Sequence, residues 1–259
     1  MCRDEGFLFM KNQKVVIKLG SSLIITSNQI NCELLKKLAR QIKILKQNGF
    51  SILLVCSGAV ALGKILVGQN NENTKIEKQA LAAIGQAYLI KHLINFFSNQ
   101  GLTISQLLFN KSDLKTKQQQ ILIKKVLNHL LNKDIIPLIN ENDAINLNCF
   151  QGNDYLASEI TKIVSSQKLI LLTNVDGLIG KKKVIKQVNK VDNNIQSLIT
   201  KQISNNGFGG MKDKLIIAKD LINRNKEVIV ASGFQDNNLL KILINQEQIG
   251  TRFKKEFLC

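Results

Sequence analysis

The segment VVIKLGSS, Val15 to Ser22, sets the architecture of this 259-residue chain. Val15 to Leu19 is apolar apart from Lys18, rich in β-branched residues and too short for a helix, so it predicts a buried strand. Gly20, Ser21 and Ser22 follow as a turn, where Lys18 would meet a ligand beside freed backbone N–H groups. Working outward, runs of the same kind recur at Ser51 to Cys56, Leu102 to Phe109, Ile135 to Ile139, Leu169 to Leu172 and Val228 to Ala231. Helical stretches separate them. Ile30 to Asn48 carries Leu34, Leu35, Leu38, Ile42 and Leu45 on one stripe and stops at Gly49; similar stretches cover Lys75 to Asn99, Leu114 to Asn132, Tyr155 to Ser165 and Lys212 to Asn225. Wholly apolar strands alternating with amphipathic helices predict an α/β protein with a mainly parallel sheet covered on both faces. Between Asp176 and Val191 the pattern changes to GLIGKKKVIKQV, which reads as a short hairpin turning near Gly180.

The formal charge is +17, from 36 Lys and Arg against 19 Asp and Glu. A nucleic-acid partner is one reading of such a surplus. Yet only four of those residues are arginine (Arg3, Arg40, Arg224, Arg252), the planar fork that base and phosphate readers use. Aromatic content is 5% with no Trp, so stacking platforms for single strands are scarce. The lysines are spread along the whole chain, which predicts a solvated surface that attracts acidic metabolites such as nucleotides, and no nucleic-acid partner. Five cysteines (Cys2, Cys32, Cys56, Cys149, Cys259) are scattered without a C-x-x-C pair, and the two histidines, His92 and His129, fall in helical stretches. That argues against zinc and disulfides and for free thiols in a reducing compartment.

The N-terminus MCRDEGFLFM has Asp4 and Glu5 where a signal peptide carries basic residues. No apolar run reaches the roughly 18 residues of a membrane helix. A cytoplasmic globular protein without a membrane partner is expected. The chain reads as a single domain over residues 1–259, with residues 1–13 a loose leader; the first nine read equally as a consequence of start-site choice.

In an open parallel sheet, ligands bind beyond the C-terminal ends of the strands. Lys18 to Ser22, Ser57 to Gly63, Asn140 to Asp143 and Thr173 to Gly177 each follow a predicted strand and so should line one edge. A second lysine in a glycine-bearing setting, Lys214 in GFGGMKDK (Gly207 to Lys214), opens a helical stretch and is equally suited to phosphate. GAVALGKI, Gly58 to Ile65, nearly spells a P-loop. It fails at Ile65, where Ser or Thr would ligate Mg²⁺, and Leu62 and Ile65 fit the apolar face of the following helix.

Read together, VVIKLGSS, LLVCSGAVALGK, KQALAAIGQ (Lys78 to Gln86), IIPLINENDA (Ile135 to Ala144), GNDYLAS (Gly152 to Ser158), LILLTNVDGL (Leu169 to Leu178) and GFGGMKDKL (Gly207 to Leu215) form an ordered set. Their order and spacing, from Lys14 to about Phe234, resemble the glutamate 5-kinases of the amino acid kinase superfamily. The INEND and SGAVA segments separate that family from the aspartate, acetylglutamate and uridylate kinases. The resemblance implies a three-layer αβα sandwich around a mainly parallel sheet, with the amino acid held mostly by the N-terminal half and ATP mostly by the C-terminal half. Many members add a PUA domain after the kinase; this chain is expected to lack one.

The resemblance also implies roles. Lys18 and Lys214 match the lysines that flank the migrating phosphoryl group, and Asp154 matches the aspartate that holds them. Asp154 also suits an N-cap for a helix beginning at Tyr155, and the two roles are compatible. Ser57, Asp143 and Asn153 match the glutamate-binding positions: an anion for the ammonium, a hydroxyl and an amide for the carboxylates. Asn140 and Asn142 read as loop-shaping, and Glu141 as a surface or structural residue. Gly20 and Ser21 would donate to phosphate. Thr173 and Asn174 match the position that meets the nucleotide, and the loop Phe208, Gly209, Gly210, Met211, Lys212, Asp213 and Lys214 would cover it, with Lys212 only a solvated neighbour. ATP is the implied co-substrate and Mg²⁺ the implied ion, held largely by phosphate oxygens. A homodimer or tetramer is expected. Two positions depart from the family pattern: Gly152 and Asn174 stand where aspartates are common, which bears on metal handling and nucleotide affinity. The implied reaction is ATP-dependent phosphorylation of the glutamate side chain for proline synthesis. A kinase with a shifted acceptor and a non-catalytic nucleotide-binding subunit are the alternatives, and retention of Lys18, Asp154 and Lys214 argues for chemistry.

Overall fold

The computed structural model describes residues 13–68, 74–180, 183–200 and 210–256, with the side chains of 199 and 200 left aside. The chain enters through β1 (Gln13–Leu19), a short helix α1 (Ser21–Ile24) and a small hairpin of β2 (Ile25–Thr26) and β3 (Gln29–Ile30). Helix α2 (Cys32–Gln47), β4 (Phe50–Cys56), α3 (Ala59–Val67) and α4 (Lys75–Ser98) follow. Next come β5 (Ile104–Phe109), a 3₁₀ turn (Lys111–Leu114), α5 (Lys117–Asn132), β6 (Ile136–Glu141), α6 (Asn153–Ile163) and β7 (Lys168–Thr173). A hairpin of β8 (Ile179–Gly180) and β9 (Lys183–Val184) leads to β10 (Gln187–Val188) and α7 (Asn193–Thr200). The chain closes with α8 (Met211–Asn223), β11 (Glu227–Ser232), α9 (Asn238–Leu243) and β12 (Thr251–Phe253).

The main sheet has eight strands in the order β10-β12-β11-β7-β1-β4-β6-β5. The six strands from β11 to β5 pair in parallel, and the antiparallel β11–β12 contact reverses direction at one edge. This is the mainly parallel α/β sheet that the apolar runs predict. Its six parallel strands are the six runs, displaced by at most two residues. The short strands β10 and β12 and helices α7 and α9 were not foreseen, being too short to show a period. The expected hairpin forms on either side of residues 181–182, which lie outside the described residues. Gln13 belongs to β1, so the leader expected over 1–13 does not reach it; the rest of that leader also lies outside the described residues.

Side-chain alternation divides β1 between two cores. Val15, Ile17 and Leu19 pack with Leu38 of α2, Leu89 of α4 and Leu239 of α9. Val16 packs on the opposite face with Leu156 of α6 and Leu215 of α8. Each fully buried aliphatic side chain in these layers contributes about 1.5–3 kcal/mol. Lys18, two residues beyond Val16, therefore points toward the α6 and α8 layer.

Helices α3 and α4 touch backbone to backbone. A Cβ on Gly85 would fall 1.8 Å from the Ala59 carbonyl oxygen, and one on Gly63 would fall 2.0 Å from that of Leu81. Gly63 of the near-P-loop and Gly85 of KQALAAIGQ thus serve helix packing. By length and composition the 24-residue α4 could cross a membrane, although no uninterrupted apolar run marks it in the sequence. It begins with a capping box between Thr74 and Glu77 and buries Leu81, Ala82, Leu89, Leu93, Phe96 and Phe97.

Candidate active site

Three polar side chains meet where β1 ends and where α6 and α8 begin. Asp154 is the second residue of α6, and its carboxylate spans two ammonium groups: Oδ1 lies 2.7 Å from Lys18 Nζ, and Oδ2 accepts a hydrogen bond from Lys214 Nζ at 2.8 Å. All three are buried, with Asp154 only 1% exposed. Helix α6 starts at Asn153 behind Gly152, so Asp154 lies inside the first turn and is not its N-cap. The capping alternative is therefore excluded.

Burial alone would raise the Asp154 carboxyl. The charges of Lys18 and Lys214 and their hydrogen bonds outweigh it and hold the group below the usual carboxylate range. One negative charge facing two positive ones leaves the cluster net positive in a water-poor setting. Such a site is matched to an incoming anion with several oxygens, as a transferring phosphoryl group is.

The neighbouring phosphate candidates differ in what they have left to offer. The Gly20 N–H already donates to the Leu172 carbonyl at 3.1 Å, stitching the turn after β1 to β7. Ser21 is exposed at the start of α1. Thr173 ends β7 half-buried and Asn174 is exposed beside it, the two joined by a 3.3 Å side-chain hydrogen bond. Gly210 caps α8, Met211 and Asp213 are half-buried in its first turn, and Lys212 is exposed. Phe208 and Gly209 lie outside the described residues.

The acceptor candidates sit at the ends of β4 and β6. A cleft of about 250 Å³ is lined by Ala59, Gln86, Glu141, Asn142 and Asp143 among others. Asp143 faces it with Oδ1 accepting the Asn148 N–H at 2.9 Å; burial raises its carboxyl, which that bond only partly offsets. Ser57 follows β4, and Asn153 opens α6; neither lines the cleft itself. Asn153 Oδ1 accepts the Glu141 N–H at 3.3 Å, which turns its amide nitrogen into the available donor.

Gln79, Gln86 and Tyr155 support the site without a role in the sequence reading, while Asn140 and Glu141 act as the shaping and structural residues expected. Gln86 Oε1 accepts from Asn140 Nδ2 at 2.7 Å, and Asn140 Oδ1 accepts the Glu141 N–H at 2.9 Å. Gln79 Nε2 donates to the Ile145 carbonyl at 2.7 Å. Glu141 is buried and takes the Phe150 N–H at 3.1 Å, so it is structural. Tyr155 Oη lies 3.3 Å from Asp213 Oδ1, a second link between α6 and α8 beside the Asp154–Lys214 pair. The available signal was position alone, since Gln79 and Gln86 both fall within KQALAAIGQ.

Among the described residues no three His, Cys, Asp or Glu side chains group into a metal site. Both oxygens of Asp154 are taken by lysines. The residues present therefore fit a divalent ion that is carried on nucleotide phosphate oxygens, not one bound by a protein cage.

Residues 13–232 match the family model described as "Amino acid kinase family". The chain is 36% identical over 252 residues to the glutamate 5-kinase of Shewanella oneidensis, covering 93% of this chain and 68% of that protein. It is 32% identical over 265 residues to the glutamate 5-kinase of Lactococcus lactis subsp. cremoris, covering 96% of this chain and 97% of that one. Among solved structures, N-acetylglutamate synthase from Neisseria gonorrhoeae, complexed with coenzyme A and N-acetyl-glutamate, superposes with a TM-score of 0.68 at 15% identity. That match covers 96% of this chain and 61% of the synthase, and at such identity it bears on the fold alone. The chain belongs to the amino acid kinase family, on its glutamate 5-kinase branch.

Proposed function

We propose that the chain transfers the γ-phosphoryl group of ATP to the side-chain carboxylate of L-glutamate, giving L-glutamyl 5-phosphate and ADP for proline biosynthesis. The observation that carries this reading is the carboxylate of Asp154 held between Lys18 and Lys214 at 2.7 and 2.8 Å. In the reaction, a carboxylate oxygen of glutamate forms a bond to the γ-phosphorus while the bond from that phosphorus to the β,γ-bridging oxygen breaks. The electron pair leaves with ADP. An ionised carboxylate needs no general base, so positioning and charge neutralisation carry the catalysis. Lys18 and Lys214 would stabilise the phosphoryl oxygens as charge moves among them, and Asp154 keeps both ammonium groups aimed.

On the acceptor side, Asp143 would take the substrate ammonium, with Ser57 and the Asn153 amide nitrogen donating to its carboxylates. On the nucleotide side, Ser21, Thr173, Asn174 and the loop through Gly210, Met211, Lys212 and Asp213 would hold the phosphates and base; Phe208 and Gly209 belong to the same reading. Gly20 would contribute through backbone shape, since its N–H is occupied by Leu172. Mg²⁺ bound to the nucleotide phosphates would supply further charge neutralisation. The same reading makes the chain one kinase domain with two functional halves, cytoplasmic, and a dimer or tetramer.

The test is ATP-dependent hydroxamate formation, because hydroxylamine traps acyl phosphates. Glutamate should give hydroxamate, while aspartate, acetylglutamate and already phosphorylated acceptors should not. No hydroxamate from glutamate would remove the reading.

A further inference from the structure

The N-terminal edge of the sheet, the end away from Asp154, gathers a second group of lysines. Lys14 lies at the start of β1, Lys124 on α5, and Lys226 just before β11. All three reach the turn that follows α6. Lys14 Nζ donates to Asn128 Oδ1 at 2.8 Å and approaches the Val164 carbonyl at 3.5 Å. Lys124 Nζ donates to Ser165 Oγ at 3.1 Å, and Lys226 Nζ to the Ser166 carbonyl at 2.6 Å. Three consecutive residues thus each receive one ammonium group. A cavity of about 350 Å³ opens there, with Lys14, Lys124, Ser165 and Lys168 in its wall.

The acceptors that these three lysines meet are neutral. Burial, then the charge of Lys124, pulls the Lys14 ammonium below its ordinary value; burial, then Arg224 and Lys124, does the same to Lys226. Among the described residues, the carboxylates Glu227 and Asp220 are committed elsewhere. Glu227 lies 3.8 Å from Lys168 and 3.1 Å from Arg252, while Asp220 lies 3.2 Å from Lys162 and 3.1 Å from Arg224. The C-terminal end of α6 supplies roughly half a negative charge. That is too little to balance the Lys14 and Lys124 ammonium groups that line the cavity, with Lys226 donating to the same turn, so an oxyanion entering the cavity would relieve repulsion as well as accept hydrogen bonds.

We propose that this lysine-walled cavity is a second anion site, for a small phosphate-class oxyanion, at the end of the sheet opposite the kinase centre. The ammonium groups sit on flexible stems and could swing from the neutral oxygens to the anion. Binding should weaken as salt rises, because the donors are half-exposed.

The probe is pyrophosphate, titrated calorimetrically into the full chain with the kinase centre saturated by a non-hydrolysable ATP analogue, so that Lys18 and Lys214 are covered. Saturable binding is expected, weakened at least tenfold by Lys124→Gln and again by Lys14→Gln, with hydroxamate formation by Lys124→Gln unchanged. Lys124 sits on a helix surface, so its variant folds even if Lys14→Gln does not. No binding to the saturated wild type, or affinity unaltered by both substitutions, overturns the proposal. Tighter binding of a single-stranded RNA oligomer than of pyrophosphate at the same lysines would overturn it in favour of a nucleic-acid surface. Neither binding readout depends on which acceptor the kinase centre uses.

Discussion

Lys18 and Lys214 share one carboxylate: Asp154 presents Oδ1 to the first at 2.7 Å and Oδ2 to the second at 2.8 Å. One lysine comes from the end of a central strand and the other from the first turn of α8. Neither helix nor strand alone brings them together. Asp154→Asn keeps the shape but leaves two buried ammonium groups without their anion. Removing one partner of a buried ion pair costs about 3–5 kcal/mol, and chemical denaturation should show a loss of that order. Turnover should fall as well, because the two ammonium groups lose the carboxylate that aims them.

Acid sensitivity follows from the same carboxylate. Its folded-state pKa lies below the ordinary 3.8, so its stabilisation is fully present above that value and is lost as pH falls through the lower folded value. The stability gap between wild type and Asp154→Asn, measured by urea denaturation across a pH series, should be wide at neutrality and close in strong acid. A gap independent of pH would contradict the ion-pair account.

Asp143 behaves in the opposite sense. Burial raises its carboxyl above 3.8, so it gains a proton at a higher pH than an ordinary aspartate. If it holds the substrate ammonium, the KM for glutamate should rise as pH falls toward that raised value while the KM for ATP stays flat. Asp143→Asn should raise the glutamate KM at every pH and abolish this dependence.

The α3–α4 contact sets a sharp steric test. Gly85→Ala places a methyl 1.8 Å from the Ala59 carbonyl oxygen, and Gly63→Ala places one 2.0 Å from that of Leu81. Overpacking of this kind costs about 1–3 kcal/mol or more. Either variant should lower the denaturation midpoint, and Gly85→Ala should also raise the glutamate KM by displacing Gln86 from Asn140. An unchanged midpoint would mean that the helices are not so close.

Gly152 gives an unexpected result for restoring the common family residue. It holds φ 112 and ψ 154, a region that is essentially restricted to glycine. Gly152→Asp should therefore destabilise by about 1–3 kcal/mol, measured by thermal or urea unfolding. A gain in stability would show that the turn before α6 rearranges freely.

The sheet was legible because its parallel strands are buried on both faces: VVIKL, SILLVC and LILL have no competing period. The shortest strands were not, since Gln187–Val188 and Thr251–Phe253 are two and three residues long and are defined by their partners. At the site, Lys18 and Lys214 were visible from glycine-bearing motifs, and Asp154 from the resemblance. Their common geometry was not visible, because it depends on how β1, α6 and α8 meet. The Gln86–Asn140 bond was hidden for a related reason: it requires α4 to approach α3 through Gly85. At Asp154 the sequence supported a helix cap and a lysine-holding carboxylate alike, and the structure shows the charge pairing, with Gly152 at the N-cap.

The most direct test is the turnover of Lys214→Ala with saturating ATP and glutamate, read as trapped hydroxamate. Loss of a donor that acts in the transition state should lower kcat by about 100- to 1,000-fold while the glutamate KM changes by less than about threefold. Wild-type turnover in this variant, or a loss confined to substrate binding, would contradict the role assigned to the Lys18–Asp154–Lys214 cluster.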